Sequence, residues 1–282
     1  MKNVLNQLIQ LQELDFALSE GKAASTKMPL TQLEEAIAKA LKKLPEDVAD
    51  RYQRLRKRYP LAVVPITGGA CAPCGMVVPV ALVQAVKACE QLQTCPHCGR
   101  FLYLPETTAK QAKRTASRST ENGRPVPVGI ARFSSAQLMV PKLAATTREE
   151  AITELAQTLA QQGYIENAGV VTDLALKREA IIGTAVEHGL AFPHVRDVEG
   201  GGLTLALGLK EKGLDFGAPD GKLTKIIFLI VIPTAASAFY LRLLAGLVKT
   251  FAESEARKAL LECETSAQMW KVLTRLTRAT IP

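Results

Sequence analysis

The chain has 282 residues, of which 48% are hydrophobic and 22% charged, so it has enough apolar material for one large folded domain or two smaller ones. No stretch reaches the roughly 18 apolar residues of a membrane-spanning helix, and polar residues interrupt the first fifteen, which argues against a secretory signal peptide. We therefore expect a cytoplasmic protein. The net charge of +8 leaves contact with nucleic acid or with an acidic partner open.

Residues 1–59 predict an α-helical segment. Apolar residues recur at helical spacing from Val4 to Leu18. Pro29 and Pro45 mark where a second and a third helix begin, because proline is tolerated in the first turn of a helix. The third helix would carry five basic residues between Arg51 and Arg58. This basic face is either solvated or a contact surface for nucleic acid.

Two cysteine pairs follow, in the segments CAPCGM and CPHCGR. Two residues separate the members of each pair, and 20 residues separate the pairs. Four thiolates presented by two such turns can converge on one tetrahedral zinc ion, and a complete shell of four ligands makes that ion structural. A disulfide is the weaker alternative in a cytosolic chain. The expected zinc ligands are Cys71, Cys74, Cys95 and Cys98.

Residues 1–105 resemble a family of bacterial proteins in which a helical hairpin precedes a four-cysteine zinc ribbon. The resemblance lies in LQELD, RYQRLRKRY, GGACAPCGMVVP and TCPHCGRFLY. It implies a small β zinc ribbon over residues 60–105, with structural zinc, that serves as a binding or scaffolding module.

Residues 106–131 predict a basic, flexible linker. The stretch from Glu106 to Ser135 has six basic residues against two acidic ones, and it is rich in Ser, Thr, Pro and Gly. Such a composition buries too little apolar surface to offset the entropy cost of ordering the chain. The linker is either simply solvated or a second contact for nucleic acid.

Residues 132–282 alternate helical and strand patterns. Helices are expected after Thr146 or Thr147, after an Asp173 cap, in FYLRLLAGLVKTF and in TSAQMWKVLTRLTRA. GLTLALGL and KIIFLIVIP are typical of strands, the second buried on both faces. We therefore expect a multidomain chain whose C-terminal half is an α/β domain, with a mixed sheet flanked by helices.

His194 follows Pro193 at the end of an apolar run, and from these residues alone it could be an ordinary half-buried loop histidine. The segments LKREAIIGTAVEHGLAFPH, LDFGAPDGKLTKIIFLIVIP and YLRLLAGLVKTF, however, resemble the IIA component of the fructose, mannitol and nitrogen-regulatory branch of the bacterial sugar phosphotransferase system. The resemblance covers residues 132–282. It implies that His194 accepts a phosphoryl group and that Arg178 is the active-site arginine.

This chain departs from that family at one position. Where a second active-site histidine usually stands, at the start of the helix after the central strand, the chain has Tyr240. A phenol can donate a hydrogen bond to phosphate but carries no positive charge. The substitution therefore favours a regulatory phosphoacceptor, and it leaves phosphoryl carriage open.

The resemblance of residues 132–282 implies a phosphohistidine phosphotransferase. It would take its phosphoryl group from a small phosphocarrier protein and pass it to a IIB component, or hold it as a signal. The contrasting hypothesis is a regulator whose zinc ribbon binds protein or nucleic acid and whose IIA-like domain is a sensor or an inactive scaffold.

Overall fold

The computed structural model describes residues 2–24, 30–105, 110–111, 128–233 and 236–281. The chain divides into two compact units, residues 1–107 and 108–282. Within the described ranges, no helix has the length and apolar character needed to cross a membrane.

The first unit begins with three helices, as the apolar spacing and the two prolines predict. They are α1 (Lys2–Ala24), α2 (Leu30–Lys42) and α3 (Glu46–Arg58). Pro45 precedes α3, whose first turn is acidic and whose last turn is basic. Both charge placements favour the helix because they oppose the partial charges at its two ends.

The ribbon follows α3. It consists of β1 (Val63–Thr67), β2 (Ala70–Cys71), α4 (Val80–Ala88) and β3 (Phe101–Tyr103). β1 pairs with β2 in antiparallel orientation and with β3 in parallel orientation. The sequence analysis did not predict α4, which fills the space between the two cysteine pairs.

Polar side chains join α1 to the rest of the first unit. The buried Gln12 side chain donates to the carbonyl of Val63 and accepts from the backbone N–H groups of Ala62 and Val63, each at 2.8 Å. The Tyr52 hydroxyl donates to Asp15 at 2.5 Å. Burial, together with the Asp15 carboxylate, raises the pKa of Tyr52, so the phenol stays protonated. The helices and the ribbon therefore share buried contacts inside one unit.

The second unit is built on a mixed six-stranded sheet, in agreement with the expected α/β class. Its strands are β4 (Met139–Val140), β5 (Ala185–Val186), β6 (Leu190–Ala191), β7 (His194–Val198), β8 (Thr204–Leu214) and β9 (Thr224–Pro233). The order is β4-β8-β9-β6-β5, and β7 also pairs with β9. β9 is antiparallel to β8 and parallel to β6 and β7.

Helices accompany this sheet, namely α5 (Arg148–Gln161), α6 (Ala168–Ile181), α7 (Ser237–Ala252), α8 (Ser254–Leu261) and α9 (Ser266–Thr277). Thr147 caps α5 and Thr265 caps α9, each accepting a backbone hydrogen bond from its own first turn. The expectation that Asp173 caps a helix is wrong. Asn167 caps α6, and Asp173 lies inside the helix.

β9 lies at the centre of the core. Nine of its ten residues are buried, and only Lys225 is exposed. Phe192 stacks on Phe228 with ring centroids 5.2 Å apart and planes 8° from parallel. The short run that precedes His194 is thereby anchored against the central strand.

Most of the predicted linker, residues 106–131, lies outside the described residues. The exceptions are 110–111 and 128–131. Gln111 is buried, its backbone N–H donates to the carbonyl of Glu199, and its side chain donates to the carbonyl of Gly202 at 2.7 Å. These two contacts belong to the second unit, directly after β7.

Candidate functional site

His194 begins β7 and lies opposite Ile230 of the central strand. His194 is 1% exposed, so its imidazole is enclosed by the surrounding chain. The enclosure follows from packing of this segment against the central strand. Phe192 and Pro193 are buried, and the carbonyl of Pro193 accepts a hydrogen bond from the backbone of Ile230.

Two oxygen atoms face Nδ1 of the His194 imidazole. The carbonyl oxygen of Phe192 lies at 3.1 Å and the hydroxyl oxygen of Tyr240 at 3.2 Å. A carbonyl oxygen accepts hydrogen bonds and never donates them, so the first contact requires a hydrogen on Nδ1. The neutral imidazole then carries its lone pair on Nε2.

Tyr240 lies in the first turn of α7 and is 1% exposed. Its ring centroid is 5.1 Å from that of His194. Sequence reasoning placed these two residues in one site, and the structure brings them together. The helix therefore supplies a phenol at the imidazole of His194.

Arg196 is a residue of this site that the sequence analysis missed. Its guanidinium carbon lies 5.0 Å from the centre of the Tyr240 ring, which is a cation–π contact. β7 shifts register between Val195 and Val198, and Asp197 takes a positive φ of 57°. Such bulges re-aim side chains and are frequent beside active sites. The sequence contained one signal for Arg196: it lies two residues after His194, and residues two apart in a strand share a face.

Arg178 lies near the end of α6, the helix that packs against β7. It is 7% exposed, and its Nη1 donates to the carbonyl of Ile182 at 3.1 Å. The neighbouring Glu179 is also buried and accepts hydrogen bonds from the backbone and the hydroxyl of Thr184. Burial raises the pKa of Glu179, while the bonds from Thr184 oppose that rise. Arg178 and Glu179 therefore hold the turn that leads into β5.

The remaining two histidines lie elsewhere. His188 is exposed at a positive φ of 72°, before β6, and its ring nitrogen lies 4.0 Å from Glu187. His97 is exposed between the second pair of cysteines.

The four cysteines converge in the first unit, and their Sγ atoms all lie within 4.8 Å of one another. The Cys71–Cys98 pair is separated by 3.8 Å and the Cys74–Cys95 pair by 3.7 Å. A tetrahedron with metal–sulfur bonds of about 2.3 Å has edges of about 3.8 Å. The donor set therefore fits a single zinc ion.

Local backbone structure shapes this cluster and affects the pKa values of its thiols. Gly75 and Gly99 adopt positive φ angles of 71° and 74°, which fold each turn back on itself. Burial disfavours the Cys95 thiolate, but backbone hydrogen bonds from Cys98 and His97 outweigh it and lower its pKa to about 7. Burial raises the pKa of Cys71 and of Cys98.

Comparisons with known proteins match a segment of each unit. A family model described as "Phosphoenolpyruvate-dependent sugar phosphotransferase system, EIIA 2" matches residues 132–276. A model described as "C4-type zinc ribbon domain" matches residues 70–102.

Among the similar proteins is the "PTS system fructose-specific EIIA component" of Haloferax volcanii. It is 30% identical over 127 residues, which cover 45% of this chain and 82% of that protein. The "Nitrogen regulatory protein" of Bradyrhizobium diazoefficiens is 27% identical over 140 residues, 49% of this chain and 89% of that protein. The crystal structure of the nitrogen regulatory protein IIA-Ntr from Neisseria meningitidis matches with a TM-score of 0.47 and 23% identity, covering 50% of this chain and 97% of that one.

Proposed function

The chain belongs to the EIIA 2 family of the phosphoenolpyruvate-dependent sugar phosphotransferase system, and we propose that its second unit accepts a phosphoryl group on Nε2 of His194. The donor is a small phosphocarrier protein. The group then passes to a IIB component or is held as a regulatory signal. The similarity of this chain to a fructose EIIA component and to a nitrogen regulatory protein supports either outcome.

The contact that carries this proposal is the 3.1 Å approach of Nδ1 to the Phe192 carbonyl. It keeps the hydrogen on Nδ1 and leaves Nε2 as the nucleophile. Neutral imidazole, with an ordinary pKa of about 6.5, is a competent nucleophile near neutral pH. After attack on phosphorus, the bond to the donor breaks and the imidazole becomes a cationic phosphoramidate. The two oxygens beside Nδ1–H stabilise that charge.

Phosphoryl transfer depends on positioning and on neutralising the charge of the group in transit. Tyr240 supplies no charge, but the guanidinium of Arg196 lies over the Tyr240 ring. The hydroxyl of the same ring contacts His194. Arg178 contributes a second buried guanidinium on the helix next to β7. We assign charge neutralisation to Arg196 and Arg178, and positioning of the imidazole to Tyr240.

We propose that the first unit binds one structural zinc ion through Cys71, Cys74, Cys95 and Cys98. When bound, the ion supplies folding free energy and no open coordination position for catalysis. The chain's own contribution is to bring four sulfur atoms to tetrahedral separations on two glycine-ended turns. We therefore place the protein in the cytoplasm, where thiols remain reduced.

We further propose that the helical segment and the ribbon, over residues 1–59 and 60–105, form a recognition module joined to the phosphoacceptor by a linker over 106–131. An exposed apolar patch beside the first cysteine pair, formed by Met76, Val77 and Val80, favours a protein target. Nucleic acid is the less favoured target. Arg51 and Arg56 of α3 lie over aromatic rings of the same unit and donate hydrogen bonds within it.

A second candidate is a non-catalytic regulator. One observation favours it, the 1% exposure of His194. Transfer to Nε2 requires the docked donor to open this enclosure, whereas a scaffold or sensor requires no opening.

Incubation with a phosphorylated phosphocarrier protein, followed by intact-mass measurement at neutral pH, separates the two candidates. The proposed function requires one acid-labile phosphoryl group per chain, lost in the Arg178→Gln/Arg196→Gln double variant at matched incubation times. A wild-type chain that takes no phosphoryl group from such donors is the regulator.

A further inference from the structure

A basic groove lies in the second unit, apart from the site around His194. Its cationic lining consists of Lys212, Lys222, Lys225 and Arg257, and His188 also lines it. The groove has a volume of about 430 Å³, which falls within the range of small-molecule sites. Among the residues that the structure describes, no acidic side chain lines it.

The groove and the phosphoacceptor occupy different parts of the central strand. Lys225 and Ile226, at the start of β9, line the groove. His194 pairs with Ile230, four residues further along the same strand. At about 3.3 Å per residue, that separation is about 13 Å. A ligand in the groove is therefore not a ligand of His194.

Little in the described chain neutralises this charge. Lys222 lies 3.8 Å from Asp220, and Arg257 donates two hydrogen bonds to carbonyls at the end of α7, which fix its position. Lys212 and Lys225 are exposed, and neither forms an ion pair with a described residue. Several like charges around one cavity repel one another, and a multivalent anion relieves that repulsion.

The rest of the lining is apolar. Leu223, which is 50% exposed, contributes to it together with Ile226 and Leu261. A fully hydrated inorganic ion makes no use of such surface, whereas an organic molecule buries its ring or chain against it. The concave shape also favours a small ligand over the flat surface of a protein partner.

We propose that this groove binds a small organic polyphosphate, meaning a molecule with two or more phosphate groups on a ring or apolar body. The ammonium groups hold the phosphates as point charges, and the leucine and isoleucine side chains contact the body. The site is independent of phosphoryl transfer on His194.

Titration of the ¹⁵N-labelled full chain with ADP, inorganic pyrophosphate and citrate tests the proposal. We expect ADP to shift amides around residues 188–190, 212–213 and 222–226 and to bind more tightly than pyrophosphate. Because Lys212 and Lys225 are exposed, the Lys212→Gln/Lys225→Gln variant should fold normally and weaken ADP binding at least tenfold. Lys271→Gln, which removes an exposed lysine from α9, is the matched control and should leave binding unchanged.

Four results would overturn the proposal. Unchanged ADP affinity in the double lysine variant removes the groove as the site. Equal affinity for citrate removes phosphate as the recognised group. Tighter binding of a polyglutamate peptide at the same amides assigns the groove to a protein partner. Loss of ADP binding in His194→Gln assigns the ligand to the phosphoacceptor.

Discussion

The guanidinium carbon of Arg196 lies 5.0 Å from the centre of the Tyr240 ring. The hydroxyl of that ring faces the imidazole of His194, the proposed phosphoacceptor. The uncharged Tyr240 side chain, which faces His194, is therefore in contact with a cation. A regulatory role inferred from Tyr240 alone does not take this guanidinium into account.

Replacing Arg196 with glutamine tests the importance of that charge. We expect the rate of His194 phosphorylation to fall about tenfold or more, because the transition state loses a nearby cation. The change in unfolding free energy should stay at about 0.5–2 kcal/mol, the range of a cation–π contact. Arg275→Gln, at an exposed position of α9, is the matched control. Equal rates in wild type and Arg196→Gln would remove Arg196 from the site.

The metal assignment is tested by comparing Cys95→Ser with Cys89→Ser. We expect one zinc ion per chain in wild type and in Cys89→Ser, since Cys89 is not part of the four-sulfur cluster. Cys95→Ser should lose the ion and the structure of residues 60–105, because structural zinc contributes about 10–16 kcal/mol in small modules. Fluorescence of Trp270, the single tryptophan, reports the second unit and should keep its cooperative transition. A wild-type chain purified without metal would contradict the assignment.

Glu179 should make the second unit less stable as pH rises. Burial raises its pKa, so the folded state holds the proton more tightly than the unfolded state. The stabilising contribution is complete below the ordinary carboxyl pKa of about 4.3 and is lost as pH rises through the folded value. We expect Glu179→Gln to gain stability relative to wild type from about pH 4 to about pH 7, as measured by urea unfolding of Trp270.

Glu150 supplies a control of opposite sign. Hydrogen bonds from the backbone and hydroxyl of Thr146 lower its pKa. Its contribution is present above the ordinary carboxyl pKa and is lost on acidification. Glu150→Gln should therefore lose stability relative to wild type as pH rises toward and through the ordinary carboxyl pKa, whereas Glu179→Gln gains stability above that value. Curves of the same slope for both variants would contradict the two assignments.

The three histidines should differ sharply in chemical reactivity. His97 and His188 are exposed, and His194 is 1% exposed. In the native chain at neutral pH, we expect an acylating reagent such as diethylpyrocarbonate to modify His194 at least tenfold more slowly than the other two. Peptide mapping by mass spectrometry measures each rate, and denatured chain gives the reference. Comparable native rates would show that the enclosure opens without a donor.

Features with strong local signals were predictable from the sequence. The cysteine spacing predicted the four-sulfur cluster, and Pro45 marked the start of α3. Thr146 or Thr147 was expected to cap α5, and Thr147 does so. Asp173 was misread as a cap because the helix already begins after Asn167, whose side chain fulfils that role. Helices α4 and α8 are short, and a single residue, Glu253, separates α8 from α7. Short segments of this kind give little periodic signal.

The contents of the candidate site were only partly predictable. The family resemblance identified His194, Arg178 and Tyr240 as its candidates. Arg196 depends on a bulge after Val195, and a register shift of that kind leaves no signature in side-chain alternation. The enclosure of His194 arises from long-range packing of Phe192 and Tyr240 around it, which no local pattern encodes.

The most direct test of the central claim is to locate the phosphoryl group by long-range ¹H–¹⁵N NMR, after transfer from a phosphorylated phosphocarrier protein. The experiment uses wild type, His97→Gln and His188→Gln, whose substitutions fall on exposed side chains, together with His194→Gln. We expect one phosphohistidine, bonded through Nε2, in the first three chains and none in His194→Gln. A phosphoryl group on Nδ1, or one that persists in His194→Gln, would contradict the account.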